Sequence, residues 1–275
     1  MASERPQVIG ICRFSYPAIG GFQVEHAEVA EREAYLYAPA RMEERFLTFE
    51  QFTLPCLRAQ TDPEFTFLIV VGESLPAPYR DRLMDQVADL PQARVIARPP
   101  APHRETMREI ILEARRESTL PSLQFRLDDD DTVGVGFVVR LQEIYAQAAR
   151  LFRRARHIAV DFTEGYIATP DPSGLLAQKT LQQLWTPALA LSVHPKLRHT
   201  IMNYSHGKLW RTQPVLSWPD EPMFIRGYNA YNDSRQKDGI RQPDLALLDA
   251  EGEAEIKRLF NVDAAAIRTA FGQGI

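Results

Sequence analysis

Ser122-Leu123-Gln124-Phe125-Arg126-Leu127-Asp128-Asp129-Asp130-Asp131 is the stretch on which the fold turns. A short apolar run enters four consecutive carboxylates with no polar ramp, and a helical pattern begins a few residues later. Phe137, Leu141, Ile144, Tyr145, Ala148 and Phe152 mark that helix face. Upstream, the same rhythm repeats. Val8 to Cys12, Phe65 to Val71 and Arg94 to Ala97 read as strands, the second β-branched and aromatic and stopped by Gly72. Between them lie a helical segment from about Met42 to Leu57, a face made by Leu83, Met84, Val87 and Leu90, and another made by Met107, Ile110, Ile111 and Ala114. Strands alternating with helices of this length imply a mainly parallel α/β sheet flanked by helices. Ligands of such sheets bind outside the carboxyl ends of the strands. That rule predicts a common edge for Arg13-Phe14, Gly72-Glu73 and Asp128 to Asp131.

Composition bounds the partners. With 275 residues, 45% hydrophobic and 25% charged, the chain has the make-up of a globular protein with a sizeable core. A net charge of −4 carries no basic footprint for nucleic acid. No apolar run approaches the roughly 20 residues of a membrane span, and the first residues lack the apolar core of a signal peptide. Cys12 and Cys56 sit inside apolar segments without metal-type spacing, which fits buried thiols in a reducing cytoplasm.

Past about Asp161 the periodicity weakens, and all three tryptophans, Trp185, Trp210 and Trp218, lie there with three of the six histidines and several prolines. We expect a single domain over 1–275, with 1–160 binding a nucleotide-type ligand and 161–275 forming strands and loops that cover the sheet edge. A helix capped by Asp263 is expected near the end.

Four adjacent carboxylates repel one another. One reading is a solvated acidic turn. The other is a site for a hard divalent cation, Mg²⁺ or Mn²⁺, which favours carboxylate oxygens and can bridge to a diphosphate. A structural Ca²⁺ loop is a third possibility, but such loops interleave glycine and asparagine with the acids.

A family resemblance sharpens this. The phrase Phe46-Leu47-Thr48-Phe49-Glu50-Gln51-Phe52-Thr53-Leu54-Pro55-Cys56-Leu57-Arg58-Ala59-Gln60-Thr61-Asp62 precedes the Phe65 strand and Leu75-Pro76. With Arg13-Phe14-Ser15 and the aspartate run, it resembles the bacterial putative rhamnosyltransferase family, which is similar to family 2 glycosyltransferases of GT-A fold. The resemblance is good over roughly residues 8 to 160 and loose beyond. It implies a GT-A-like fold, a nucleotide-diphosphate sugar donor, a glycan or lipid-linked glycan acceptor and a divalent cation held at a DxD-type motif. Asp128, Asp130 and Asp131 would hold the metal, with His206 as the downstream histidine ahead of His199 and His194. Arg13, Phe14, Asp128 and Asp129 would face the donor, and Glu73 would take the acidic position after the second strand.

Arg104 and Arg108 precede the aspartate strand at the distance of a diphosphate-binding arginine in related enzymes, with a solvated helix face as the alternative for Arg108. Gly134-Val135-Gly136 lacks the third glycine of a dinucleotide loop. An inverting transfer needs a base for the acceptor hydroxyl. Asp220 and Glu221, beside Trp218, are favoured for it, followed by Asp161 and Glu164; turn residues next to Pro219 and Pro222 are the plainer explanation of the first pair. A sugar nucleotidyltransferase is the rival enzyme class, although only Gly20-Gly21 stands where its glycine-rich loop belongs.

Overall fold

A computed structural model describes residues 5–21, 26, 28–219, 221–229 and 242–272. Its main sheet has seven strands. The first four in sequence are β1 (Gln7–Arg13), β2 (Phe65–Gly72), β3 (Ala93–Arg98) and β4 (Ser122–Arg126). A second, smaller sheet begins with the two-residue β5 (Thr132–Val133), and the main sheet resumes with β6 (His157–Phe162). β7 (Glu164–Asp171) and β8 (Gly174–Leu181) form a hairpin in the smaller sheet. β9 (Leu189–Val193) and β10 (Val215–Trp218) return to the main one, while β11 (Phe224–Gly227) and β12 (Ala246–Leu247) complete the smaller one. The main order is β10-β6-β9-β4-β1-β2-β3 and the smaller order is β12-β8-β7-β11-β5.

Every neighbouring pair in the main sheet is parallel except the two made by β9, which runs against β4 and β6. The expected mainly parallel α/β class is what the chain adopts. The second half departs from the expectation that it merely covers the sheet edge, because β9 is inserted between β4 and β6 and β10 extends the sheet beyond β6. Leu189-Ala190-Leu191-Ser192-Val193 is a short buried run whose five residues carry no strong period, so it did not stand out from loop sequence.

Helices cover both faces. On one side lie α1 (Val29–Leu36), α2 (Pro39–Thr48), a π turn over Phe49–Thr53, α3 (Leu54–Arg58) and α4 (Ala77–Val87). There Phe46, Phe49, Leu57 and Leu83 pack with Val8, Cys12, Phe67 and Ile69. On the other side α5 (His103–Ala114) buries Met107, Ile110 and Ile111 with Ile9, Ile11, Leu68 and Val70. Odd and even positions of β1 and β2 thus serve opposite cores, as the two-residue side-chain period requires. α6 (Phe137–Gln147) and α7 (Ala149–Arg154) join the first core. α8 (Ala250–Phe260) and α9 (Ala264–Phe271) close the smaller sheet through Ile256, Phe260 and Ile267. Asp263 accepts from the Ala265 and Ala266 amides and caps α9 as expected.

Candidate functional site

The aspartates are where the chain crosses from one sheet to the other. β4 ends at Arg126 in the main sheet and β5 starts at Thr132 in the smaller one. The crossing is tightly held. The Asp131 amide donates to the Asp128 carbonyl at 3.1 Å, and the Thr53 hydroxyl donates to the Asp131 carbonyl at 2.9 Å. β11 lies against it, with the Gly227 amide donating to Asp131 Oδ1 at 2.9 Å. A Cβ on Gly227 would collide with the Asp130 carbonyl oxygen, so only glycine permits this approach.

The four carboxylates therefore differ. Asp129, Asp130 and Asp131 are buried, and only Asp128 is exposed. Asp129 is ion-paired with Arg45 of α2, and its Oδ2 is buried with no hydrogen-bond partner. Asp130 accepts from the Asn229 side-chain amide at 2.6 Å. No described residue hydrogen-bonds the Asp128 carboxylate. The Asp128 side chain opens to solvent but is crowded by protein atoms, and this partial desolvation pushes its pKa upward; the guanidinium charges of Arg126, Arg13, Arg226 and Arg45 overcome it and hold the carboxyl below its usual range. Asp131 is raised well above that range by burial and by Asp130, and Asp129 is raised by burial against the pull of Arg45. The arginines thus hold Asp128 ionised, while Asp129 and Asp131 keep their protons more tightly than a free carboxyl.

Around Asp128 the carboxyl edge of the sheet is lined by Arg13, Gly21, His103, Arg126 and Met202. Arg13 donates to the Gly21 carbonyl at 3.0 Å. Burial, then Arg13 and Arg126, lower His103 to about 3, so it is a neutral imidazole at physiological pH. The cleft encloses about 70 Å³, less than the ~300 Å³ of a typical small-molecule pocket, so in this conformation it fits only part of a ligand such as a diphosphate. A larger concavity of about 910 Å³ lies at the opposite, amino-end edge, among Gln7, Glu113, Arg116 and Arg198. We assign function to the small cleft because parallel sheets bind at the carboxyl edge and the cationic groups converge there.

His206 joins this site from the second half. Its Nδ1 donates to the Leu184 carbonyl at 2.7 Å, which leaves Nε2 as the lone-pair nitrogen. Burial lowers its pKa, the Leu184 contact raises it, and the nearby charges of Arg126, Arg226 and Asp128 act on it as well. Leu184 is in turn fixed by Asp161. Asp161 Oδ1 accepts from the Leu184 amide at 3.0 Å and Oδ2 from the Ser217 hydroxyl at 3.3 Å. Trp185 follows directly, with the Arg226 guanidinium 5.1 Å from its ring centroid.

The other sequence candidates scatter. Phe14 is fully buried against Phe46 and Phe49, so it is a core residue and not a donor contact. Glu73 is exposed at the carboxyl end of β2, on the expected edge. Arg108 is half-buried on α5 with its Nε unpartnered, outside the cleft lining, whereas Arg104 donates to the Met202 carbonyl at 3.5 Å. Glu221 pairs with Arg258 of α8 at 3.3 Å. Glu164 is half-buried at the start of β7. Asp220 lies outside the described residues. Arg45, Arg126, Arg226, His103 and Asn229 were missed as site residues. Only Arg126, adjacent to the run, carried a positional signal.

As a metal site the set fits in a narrower form than the resemblance implies. Among the described residues no three His, Cys, Asp or Glu side chains converge as cation ligands. Asp130 and Asp131 are committed to Asn229 and Gly227, which leaves the ionised Asp128 and His206, whose Nδ1 is engaged by Leu184 and whose Nε2 keeps the lone pair. One carboxylate suits Mg²⁺ or Mn²⁺, which commonly rely on one or two carboxylates plus substrate phosphates, and His206 would add a nitrogen.

A model of the family described as "Putative rhamnosyl transferase" matches residues 7–241. The chain belongs to this rhamnosyl transferase family. It is therefore a glycosyltransferase, and the matched span runs from β1 past β11, taking in the whole cleft. No curated protein matches it by sequence. Similar solved structures include S. aureus TarS 1-349 in complex with UDP-GlcNAc, at 10% identity over 98% of this chain and 71% of that one, TM-score 0.45. A putative nucleotide-diphospho-sugar transferase from Desulfovibrio desulfuricans G20 gives 12% over 96% and 97%, TM-score 0.37. A 4-diphosphocytidyl-2C-methyl-D-erythritol synthase gives 14% over 83% and 91%, also at 0.37. No helix among the transferase's described residues is long and apolar enough to cross a membrane.

Proposed function

We propose that the enzyme transfers a sugar, rhamnose by its family's description, from a nucleotide-diphosphate donor to a hydroxyl of a glycan or lipid-linked glycan. The convergence of Arg13, Arg126, Arg226 and His206 on the exposed carboxylate of Asp128 carries this reading. Guanidinium groups suit a diphosphate because their fork of donors matches its oxygens. In such a transfer the acceptor oxygen attacks the anomeric carbon while the bond to the diphosphate breaks, so negative charge grows on the leaving group. Arg13 and Arg126 are positioned to offset that charge, and Trp185 beside Arg226 offers an apolar wall to a sugar ring. Asp128 and His206 would hold Mg²⁺ or Mn²⁺, which when bound supplies Lewis-acid stabilisation of the leaving diphosphate. For the base, Asp220 and Glu164 are the candidates kept, because Glu221 is engaged by Arg258 and Asp161 is buried and doubly hydrogen-bonded.

The test is a panel of nucleotide-diphosphate sugars incubated with the enzyme and Mn²⁺, scored for release of nucleoside diphosphate. Release from one class of donor, increased by a glycan acceptor, supports the reading. Release of inorganic pyrophosphate from a nucleoside triphosphate and a sugar phosphate would instead identify a nucleotidyltransferase.

A further inference from the structure

A second polar cluster lies on the opposite, amino-end edge of the main sheet, away from the donor cleft. His157 opens β6, and its Nε2 is 3.1 Å from Nδ1 of His199. The Tyr204 hydroxyl completes a triangle, 3.3 Å from the His157 nitrogen and 3.2 Å from the His199 nitrogen. His157 is almost fully buried, while His199 and Tyr204 are half-exposed, so the cluster is reachable from solvent.

Three mutual contacts of this length cannot all be hydrogen bonds. An imidazole nitrogen either carries a proton or offers a lone pair, never both. A closed ring would need both nitrogens to do both, so at most two of the three contacts are satisfied by protons. From the geometry we propose that His157, His199 and Tyr204 form a binding site for a Zn²⁺-class cation. Two nitrogens at Zn–N distances of ~2.0 Å around a tetrahedral ion are separated by about 3.3 Å, close to the triangle's sides. Two imidazoles on one such ion put their ring centroids about 5 Å apart, and here the centroids are 5.1 Å apart with 17° between ring planes.

The chemistry of the donors agrees. Imidazole nitrogens suit Zn²⁺, and Tyr204 adds an oxygen ligand after giving its phenolic proton to solvent. The exposed side of the triangle leaves the fourth position to water. Such an ion would tie β6 to the segment that carries His199, Tyr204 and, two residues later, His206.

The test uses the full chain, stripped with a chelator, in an Asp128→Asn background so that the donor cleft contributes no cation binding. Calorimetric titration with Zn²⁺ at pH 7.5 is expected to show one equivalent bound, with release of about one proton. His199→Gln should weaken binding by more than the ~10–100-fold typical of losing an outer-shell partner. Tyr204→Phe preserves the ring and its packing, and should weaken binding at least ~10-fold while abolishing proton release. Co²⁺ in place of Zn²⁺ should give the intense visible absorption of tetrahedral coordination in the parent and not in His199→Gln. Absence of Zn²⁺ binding in the parent, or equal affinity in the parent and both variants, overturns the proposal.

Discussion

Arg45 and Asp129 form an ion pair in the wall of the site, joining helix α2 to the crossing between the two sheets. Both groups are taken out of water, and the neighbouring Asp130 and Asp128 raise the cost of ionising Asp129. Truncating one partner strands the other. Arg45→Met should destabilise the fold by about 3–5 kcal/mol, the usual cost of leaving a buried charge unpaired. Arg45→Lys keeps the charge and should cost less. Urea unfolding of the three proteins measures this, and a loss under about 1 kcal/mol for Arg45→Met would show that the pair does not hold the crossing.

Gly227 is the hinge of the same arrangement. Its missing side chain lets β11 rest on the Asp130 carbonyl, and its amide holds Asp131. Gly227→Ala must push the aspartate crossing aside. Overpacking of this kind costs about 1–3 kcal/mol, and turnover should fall further than stability because Asp128 moves with the crossing. A variant with wild-type turnover would mean that the position of the crossing is immaterial to catalysis.

Asp161 gives the pH signature. Burial raises its pKa from 3.8 to about 6, while the Leu184 amide and Ser217 hydroxyl pull the other way. The folded protein therefore binds this proton more tightly than the unfolded chain does. Its contribution is most favourable below about pH 4 and is lost as pH rises through about 6. Asn can keep both hydrogen bonds without the charge. Asp161→Asn should thus gain about 1–3 kcal/mol relative to wild type at pH 7.5, and the gap should close by pH 4. Denaturant melts at the two pH values decide it; a gap that widens toward low pH contradicts the sign.

Arg126 and Arg108 separate the two assignments of the donor arginine. Arg126 lines the cleft with Asp128, and Arg108 does not. Arg126→Met should weaken donor binding roughly tenfold to a hundredfold, as expected for a charge-assisted hydrogen bond worth about 1.5–3 kcal/mol. Arg108→Met should change affinity less than about threefold on the same scale. Calorimetry with the donor nucleoside diphosphate makes the comparison, and the reverse order of effects restores Arg108.

Much of this was legible in sequence. The periods of β1, β2 and the α5 face, and the abrupt arrival of Asp128 after an apolar run, were enough to set the sheet and the edge at which Arg13, Glu73 and Asp128 lie. The differences among the four aspartates were not. Adjacent identical residues carry no sign of which one turns inward, and the partners that bury three of them come from positions 45, 227 and 229. Arg45 reads as an ordinary polar position on an amphipathic helix, and Arg226 lies in a stretch without strong periodicity. His206 was found through resemblance alone; its orientation depends on Leu184 and Asp161, which only the fold brings near. Phe14 was misplaced because adjacency to Arg13 suggests a shared role, whereas in a chain leaving a strand neighbours turn to opposite sides.

The central claim is that Asp128, alone in its run, meets the donor. The direct measurement is the steady-state rate of nucleoside diphosphate release with Mn²⁺, comparing wild type with Asp128→Asn, an almost isosteric change at an exposed position. The account predicts a fall of at least ~10²-fold, the scale of losing a group that stabilises developing charge, with the thermal midpoint nearly unchanged. Wild-type turnover in Asp128→Asn would contradict it.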